Sequence, residues 1–508
     1  MNQDNGGVIG KINTPTTSVA SGVWSIQDQF ESQSSSIWPL GFPQTTFTNS
    51  CRFDDDSNDY LEKAQTGVDG NEKTWTISMW IKRSKLGSSQ YLFSFGENNS
   101  SEGKMYFDSN DFLVLTNDGQ NGSSNETDMK FRDVSAWYHI IWACDVTQSD
   151  NADRWKVYVN GNQVTLTGSP SITNADGIVN RWNGFDNWIG AAARSQQSGT
   201  AVQSFDGYMT EVIFVDGQQL SPTDLGAFNP VTNIWEPIAY AGTYGTNGYK
   251  LNFSDSSALG DDTSGNGNDF TPNNLTSIDQ STDTCSNNFA TMNPLYRKPQ
   301  TNPSELRDGN TSVIGGSAHR ADVPTIAMNA GKWYFEAKAI SGSTTKWWWG
   351  LGEAELLETK QDLGNTSNFI YGDVSNTQGV YDNNLKVDGS TAISSIFGAA
   401  CAANDIVMLA VDFDTQKVWY GLNGTWNNGS ASQSTTLNSS YPDSTAITSG
   451  DYYYFGVGNE NTKWSVNYGN PAYSISSGNA DANGHGNFEY AVPTGFFALC
   501  TKNISENG

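Results

Sequence analysis

The sequence predicts an all-β protein, with two tandem β-sandwich domains, a polar N-terminal leader and an irregular connector between the sandwiches. Three observations carry that expectation. Apolar residues recur at every second position in short runs, the mark of a strand with one buried face. Asn-Gly pairs close several of these runs, and Asn-Gly supplies the two positive φ angles of a type I′ hairpin. No amphipathic helical stretches separate the runs, so a sandwich is expected rather than an α/β sheet.

Residues 1–48 form the leader, rich in Gly, Thr, Ser and Gln, with aromatics at Trp24, Phe30, Trp38 and Phe42. Such a segment cannot bury a core alone. Trp24 and Trp38 therefore either dock on another protein or pack on the first sandwich. That sandwich spans 49–230. Trp75-Thr76-Ile77-Ser78-Met79-Trp80-Ile81-Lys82 alternates, Tyr91 to Phe95 and Phe112 to Leu115 follow, and Trp155 to Val159 runs into Asn160-Gly161. A strand from Tyr208 to Val215 ends at Asp216-Gly217. Ser221-Pro222-Thr223-Asp224 then combines a Ser cap, an early Pro and an acid three residues on, so one short closing helix is expected.

Residues 231–325 form the connector, with turn chemistry from Asp261 to Asp269 and a few strands such as Tyr249 to Phe253. The second sandwich spans 326–508. Lys332 to Ala339 alternates, Asp405 to Phe413 turns into Lys417 to Leu422, and Asn423-Gly424 makes a further hairpin turn. Tyr452 to Val457 and Lys463 to Tyr468 complete the pattern.

Composition narrows the function. Aromatics at 12% with 17 Trp are incompatible with a disordered acidic chain, so the excess of acid belongs to a folded surface. The formal charge of -27, with no basic patch, would repel a phosphate backbone, and nucleic-acid binding is not expected. The five cysteines lie far apart and suggest isolated buried thiols rather than a zinc site or a disulfide framework. Met1 to Gly7 is polar and lacks an apolar h-region, so export by the general secretory route is not expected. No apolar run approaches membrane-span length, and membrane insertion is not expected either.

Both strand-rich blocks resemble known families. Trp75 to Ile81, Trp137-Tyr138-His139-Ile140, Val157 to Gly161, Trp188-Ile189-Gly190 and Phe205 to Val212 resemble, in order, the laminin-G/pentraxin-like branch of the concanavalin A-like jelly rolls. Gly331 to Glu336, Asp405 to Phe413, Val418 to Gly424 and Val466 to Gly469 resemble a SPRY domain. Ser21 to Ser25, Ile37-Trp38-Pro39, Thr263 to Phe270, Asn287 to Leu295 and Pro493 to Phe496 resemble segments of virion proteins from marine tailed phages. Two departures stand out. Cys285 occupies a place where such connectors often carry Pro, and Tyr473 to Gly486 interrupts the usual close. The resemblance implies two sandwiches of jelly-roll type in a virion appendage.

Candidate chemistry is sparse. A glycosidase needs two carboxylates about 5 to 10 Å apart across the scissile bond. Glu211 with Asp216 lacks the usual alternate spacing, and Glu353-Ala354-Glu355 lies outside the jelly roll. Of His139, His319 and His485, the first reads as core packing, and no nucleophile elbow is present. No enzyme is expected. Laminin-G-like domains often hold calcium at the sheet rim, and calcium takes six to eight oxygens. The resemblance therefore makes Asp54, Asp55 and Asp59 candidate ligands, against the alternative of solvated acidic loops, which also applies to Asp261, Asp262 and Asp269. For glycan or protein contact, Trp347 and Trp349 on one face of a strand, and Tyr452 and Tyr454 likewise, are the aromatic candidates, core packing being the alternative.

The expected function is that of a non-enzymatic phage structural protein in a tail fibre, another tail appendage or a capsid protrusion. It would be present in the virion in several copies or as a homo-oligomer, docked by its leader to other virion proteins. Its sandwiches would meet a host-surface glycan or a neighbouring virion protein. A secreted lectin or adhesin is disfavoured by the missing signal peptide, and a polysaccharide-degrading jelly roll by the missing carboxylate pair.

Overall fold

The computed structural model of the protein describes residues 45–64, 67–98, 101–116, 125–167, 186–192, 203–230, 232–296, 304–317, 320–342, 347–354, 377–381, 383–388, 390–427, 433–437 and 447–508. Among these residues the chain is almost entirely β, arranged as two sandwiches. In the larger sheet of the first, Trp155–Val159, Tyr138–Asp145, Thr74–Arg83, Gly207–Asp216 and Ser50–Phe53 lie side by side, all antiparallel. Its partner sheet runs Tyr60–Lys63, Asp186–Ile189, Gln90–Asn98, Ser101–Phe107, Phe112–Thr116, Glu126–Lys130. The second sandwich sets a sheet containing Lys463–Asn467, Lys332–Ser341, Ile406–Asp412 and Lys417–Leu422 against one containing Tyr453–Asn459, Trp347–Glu353 and Thr377–Tyr381.

Local signals act as expected. Asn160 and Gly161 take φ of 47° and 79°, and Asn423 and Gly424 take 48° and 79°, the left-handed pair of a type I′ turn. Pro222–Asp224 forms a 3-10 turn rather than an α-helix, with the Ser221 N–H donating to the Asp224 carboxylate at 2.9 Å. An α-helix at Thr501–Asn507, which no sequence signal had marked, follows the last short strand. No helix among the described residues is long and apolar enough to cross a membrane.

Each sandwich has its own core, the first around Trp75, Phe93, Trp142 and Phe214, the second around Trp333, Phe335, Trp349 and Leu409. The connector region contributes to both. Tyr249–Leu251 pairs with Gly207–Asp216, Thr271–Asn273 pairs with Tyr60–Lys63, and Phe270 sits in the first core. Ala290 and Met292 sit in the second core, and Ser312–Ile314 extends its larger sheet. The division between cores thus falls between Phe270 and Ala290.

Thr74–Arg83 departs from the one-face expectation, since residues 75–83 are buried on both faces. The polar-looking face is covered by later chain. Thr76 Oγ1 donates to Gln218 O at 2.7 Å, and Lys82 Nζ reaches Asp283 Oδ2 at 2.8 Å, Asn288 Oδ1 at 2.7 Å and Phe289 O at 3.0 Å. Asp283 also accepts from Trp137 Nε1 and the Phe289 N–H, so this buried ion pair is hydrogen-bonded on both sides. The network ties the first sandwich to the segment that enters the second.

Candidate functional site

Apparent catalytic groups resolve into packing. His139 Nε2 lies 2.8 Å from Ser78 Oγ, which resembles a nucleophile and its base. Both are buried, however, and His139 stacks under Trp80 at 4.4 Å. Trp235 Nε1 donates to His139 Nδ1 at 2.9 Å, so the imidazole proton resides on Nε2 and points at Ser78. Burial pushes the imidazole pKa down to about 3, so the ring is neutral and has no free nitrogen to act as a base. Glu211 sits at a bulge with φ 50° and pairs with Lys250 Nζ at 3.0 Å. Asp216 accepts from the Asn71 and Asn247 N–H groups, and Glu355 and His319 lie outside the described residues. The five cysteines are free thiols.

The aromatic candidates divide. Trp347 and Trp349 are only 2% and 1% exposed and pack on Trp464 and Phe397, which corrects their expected role as ligand platforms. Alternation does send Trp348 to the opposite face, yet it is buried as well and stacks on Tyr381. Tyr454 is half-buried against Tyr296, whereas Tyr452 is 56% exposed and remains a surface aromatic. Trp24 and Trp38 lie outside the described residues.

The acidic candidates converge in part. Ser50–Phe53 pairs with Gly207–Asp216 so that Phe53 faces Gly207, and the next step in this register sets Asp54 beside Asp206. Gly207 has φ 150°, and a Cβ there would lie 2.1 Å from Lys82 O, so glycine alone lets the chain deliver Asp206 at this point. Carboxylate oxygens of Asp54, Asp55 and Asp206 all lie within 4.8 Å of one another. Asp206 and Asp54 are buried, and Lys85 Nζ pairs with Asp55 Oδ2 at 2.5 Å. Asp55 Oδ1 and Asp206 Oδ1 are buried without a hydrogen-bond donor. Burial, then the Asp55 and Asp54 charges, pushes the Asp206 pKa well up, and burial likewise raises Asp54.

Asp59 is not part of this trio. Its Oδ2 accepts from the Asp54 N–H at 3.0 Å, so it shapes the turn that presents Asp54 and Asp55, a correction to its expected role as a ligand. Asp206, far away in sequence, takes its place. The second acidic loop is self-satisfied, with Asp262 accepting from the Lys250, Ser264 and Asn268 N–H groups and Asp269 accepting from Asp262 N. Asp54 already accepts from the Asp56 N–H and from Ser57 Oγ, both at 3.1 Å, so within the trio Asp55 and Asp206 alone keep an oxygen without a donor. An all-oxygen set of this kind would suit a hard cation such as calcium rather than zinc.

A separate cavity of about 290 Å³ opens where Gln280–Ser281, the edge strand of the first sandwich, meets the closing segment of the second. Its walls include Asn49, Ser277, Gln280, Thr282, Tyr473 and Ser474, with Ile278 and Pro471 adding apolar surface. No charged side chain lines it among the described residues.

Fold and sites together describe a protein of two β-sandwiches that carries, among the described residues, an acidic cluster at Asp54, Asp55 and Asp206 and a neutral cavity beside Gln280–Ser281. Residues 55–225 match the profile of a laminin G family described as the concanavalin A-like lectin/glucanases superfamily. Among curated proteins none matches the chain. Among solved structures, a candidate carbohydrate-binding protein from Bacteroides ovatus is 18% identical, with TM-score 0.30, over 45% of this chain and 59% of that one. The chain therefore spans under two thirds of that relative's length. A heptameric pentraxin from Limulus polyphemus is 18% identical, with TM-score 0.23, over 35% of this chain and 76% of that one. The SPRY domain of human HERC1 is 10% identical, with TM-score 0.23, over 34% of this chain and 96% of that one.

Proposed function

We propose that the chain is a non-enzymatic structural protein of a phage particle that contacts a host-surface glycan or a neighbouring virion protein. It would belong to a tail fibre, another tail appendage or a capsid protrusion. The neutral cavity beside Gln280–Ser281 carries the binding half of this reading. Ser256, Ser277 and Ser474 place hydroxyls there that bond to no other described residue, next to the amides of Asn49 and Asn487. Hydroxyls, amides and a small apolar wall match a neutral sugar, which offers hydroxyls at its edge and C–H groups on its faces. At about 290 Å³ the cavity lies at the small end of ligand sites, which run from roughly 300 Å³, and suits one sugar residue rather than a long chain. The lectin-like family match over 55–225 supports glycan binding by the first sandwich in general, while the residues that line this cavity lie outside the matched span.

The non-enzymatic half rests on the engagement of His139 and Glu211 in packing and ion pairing. The virion setting rests on the resemblance of the leader, connector and closing segments to phage virion proteins. Docking through the leader and a multicopy state follow from it as expectations. A glycan array on the full chain tests the binding, run beside Ser474→Trp, which fills the cavity. Binding that Ser474→Trp abolishes supports the site, and binding that it leaves intact moves the site elsewhere. An array blank in all conditions removes the glycan and leaves protein contact alone. Release of reducing sugar from host polysaccharide would overturn the non-enzymatic reading, and electron microscopy of the intact particle tests the virion setting.

A further inference from the structure

We infer that the Lys82 amine and the Asn288 side-chain amide condense, with Asp283 as proton carrier, to an intramolecular isopeptide bond that staples the first sandwich to the second. The site is separate from the neutral cavity and does not depend on glycan binding.

The three groups that this reaction needs meet at one nitrogen. Lys82 Nζ lies 2.8 Å from Asp283 Oδ2 and 2.7 Å from Asn288 Oδ1, and it also donates to Phe289 O at 3.0 Å. A carbonyl carbon sits about 1.2 Å from its oxygen, so Asn288 Cγ lies within about 4 Å of the amine, near the roughly 3–3.5 Å of reacting atoms. Both partners of the amine are held in place. Asn288 Nδ2 donates to Ser135 O at 2.6 Å, which turns the amide oxygen toward Lys82. The Asn288 main chain is bonded in both directions to Thr501, its N–H donating to Thr501 Oγ1 at 3.0 Å and its carbonyl accepting from the Thr501 N–H at 2.9 Å. Asp283 Oδ1 accepts from Trp137 Nε1 at 3.1 Å and from the Phe289 N–H at 3.2 Å, so Oδ2 faces the amine.

The site is also dry. The Lys82 and Asp283 side chains are 1% and 0% exposed, whereas Lys85, Lys156, Lys250 and Lys332 keep 19% or more exposed in their ion pairs. The buried Tyr208 ring, centred 5.7 Å from Nζ, adds an apolar wall. Exclusion of water strips the amine of its hydration shell. The ammonium proton passes to Asp283 Oδ2, and the amine lone pair forms the Nζ–Cγ bond as the carbonyl π pair moves onto Oδ1. Asp283 then gives its proton to Asn288 Nδ2 and takes a second one from Nζ. The Cγ–Nδ2 bond breaks, its electron pair leaves with ammonia, and the carbonyl re-forms. Nothing is oxidised or reduced.

The bond would join two units. Lys82 stands on Thr74–Arg83 inside the first sandwich, and Asn288 precedes Phe289 and Ala290, which enter apolar clusters of the second. The two residues are 206 apart in sequence, and a cross-link of that span restricts the unfolded chain as a disulfide does. It supplies a covalent tie that the five free thiols do not.

The test is intact mass and tryptic mapping of the folded full chain, aged at neutral pH. The expected mass is one ammonia below that of the sequence. Trypsin should release a branched peptide of residues 74–83 and 251–297, with fragmentation placing the branch at Lys82 and Asn288. Asn288→Ala, at a half-buried position that leaves the Lys82–Asp283 pair in place, should show its full sequence mass and separate peptides. Asp283→Ala, checked for native circular dichroism, should form the bond at least tenfold more slowly. Should it not fold, the wild type and Asn288→Ala decide the question. A folded wild type at full mass with separate peptides would overturn the proposal. Ammonia loss with separate peptides would mark a cyclic imide and overturn it as well, and water loss with the branch at Asp283 would overturn the choice of Asn288.

Discussion

Asp54 and Asp206, separated by more than 150 residues, stand beside one another at the end of a single antiparallel ladder, one step beyond the Phe53–Gly207 pair. Their closeness follows from strand register, and it concentrates negative charge where the surrounding protein supplies one lysine.

Asp206→Asn should therefore separate repulsion from ligation. In chelator the variant is expected to match the wild type in stability at low pH, where both side chains are neutral, and to exceed it as pH rises and the buried wild-type carboxyl must ionise. A calcium ion held by Asp206 would reverse the order, since a ligand at 100 times its dissociation constant stabilises the native state by about 2.7 kcal/mol. Urea unfolding midpoints in the two buffers measure both.

Glu336 predicts a pH dependence. Its buried carboxylate accepts from Tyr334 Oη at 2.7 Å, Tyr473 Oη at 3.3 Å, and the Glu489 and Tyr490 N–H groups at 2.9 and 2.8 Å. Burial outweighs these bonds and raises its pKa to about 7 from 4.5. The folded state thus holds a proton that the unfolded chain releases at lower pH. The stabilisation is complete below about pH 4.5 and is lost as pH rises through about 7, amounting to about 3 kcal/mol at most. Chemical denaturation across this window should show the fall, and Glu336→Gln should flatten this part of the profile.

Lys82→Ala should be among the most damaging changes at the seam between the sandwiches. It leaves Asp283 charged and buried, a loss of about 3–5 kcal/mol. Replacing both partners with Lys82→Met and Asp283→Leu should recover a large part of that. Scanning calorimetry of the three proteins makes the comparison.

Trp349→Ala should cost about 3–5 kcal/mol in denaturant unfolding, as expected for an indole removed from a core. Tyr452→Ala, at an exposed position, should change stability by no more than about 0.5 kcal/mol. Any effect of Tyr452→Ala on partner binding would then be separable from folding.

The strands and hairpins were legible because their signals are local. Trp75 to Lys82 alternates, and Asn160-Gly161 and Asn423-Gly424 adopt the backbone their residue types favour. The candidate site was half legible. Asp54 and Asp55 stood out as an acidic run after a strand, but Asp206 is a single acid before a glycine, with no local mark of its partners. The tryptophan run misled for the same reason, since alternation tells which side chains share a face and not whether that face is covered.

The sequence by itself determined the all-β class, the two sandwiches, the type I′ turns and the sparseness of catalytic spacing, all consequences of side-chain periodicity and backbone preference over a few residues. Tertiary structure alone decided which faces were buried, how the connector was shared between two cores, and which acids met. Those depend on strand register and on chain returning from hundreds of residues away. Lys82 meeting Asp283 and Asp54 meeting Asp206 are contacts that no short window of sequence contains.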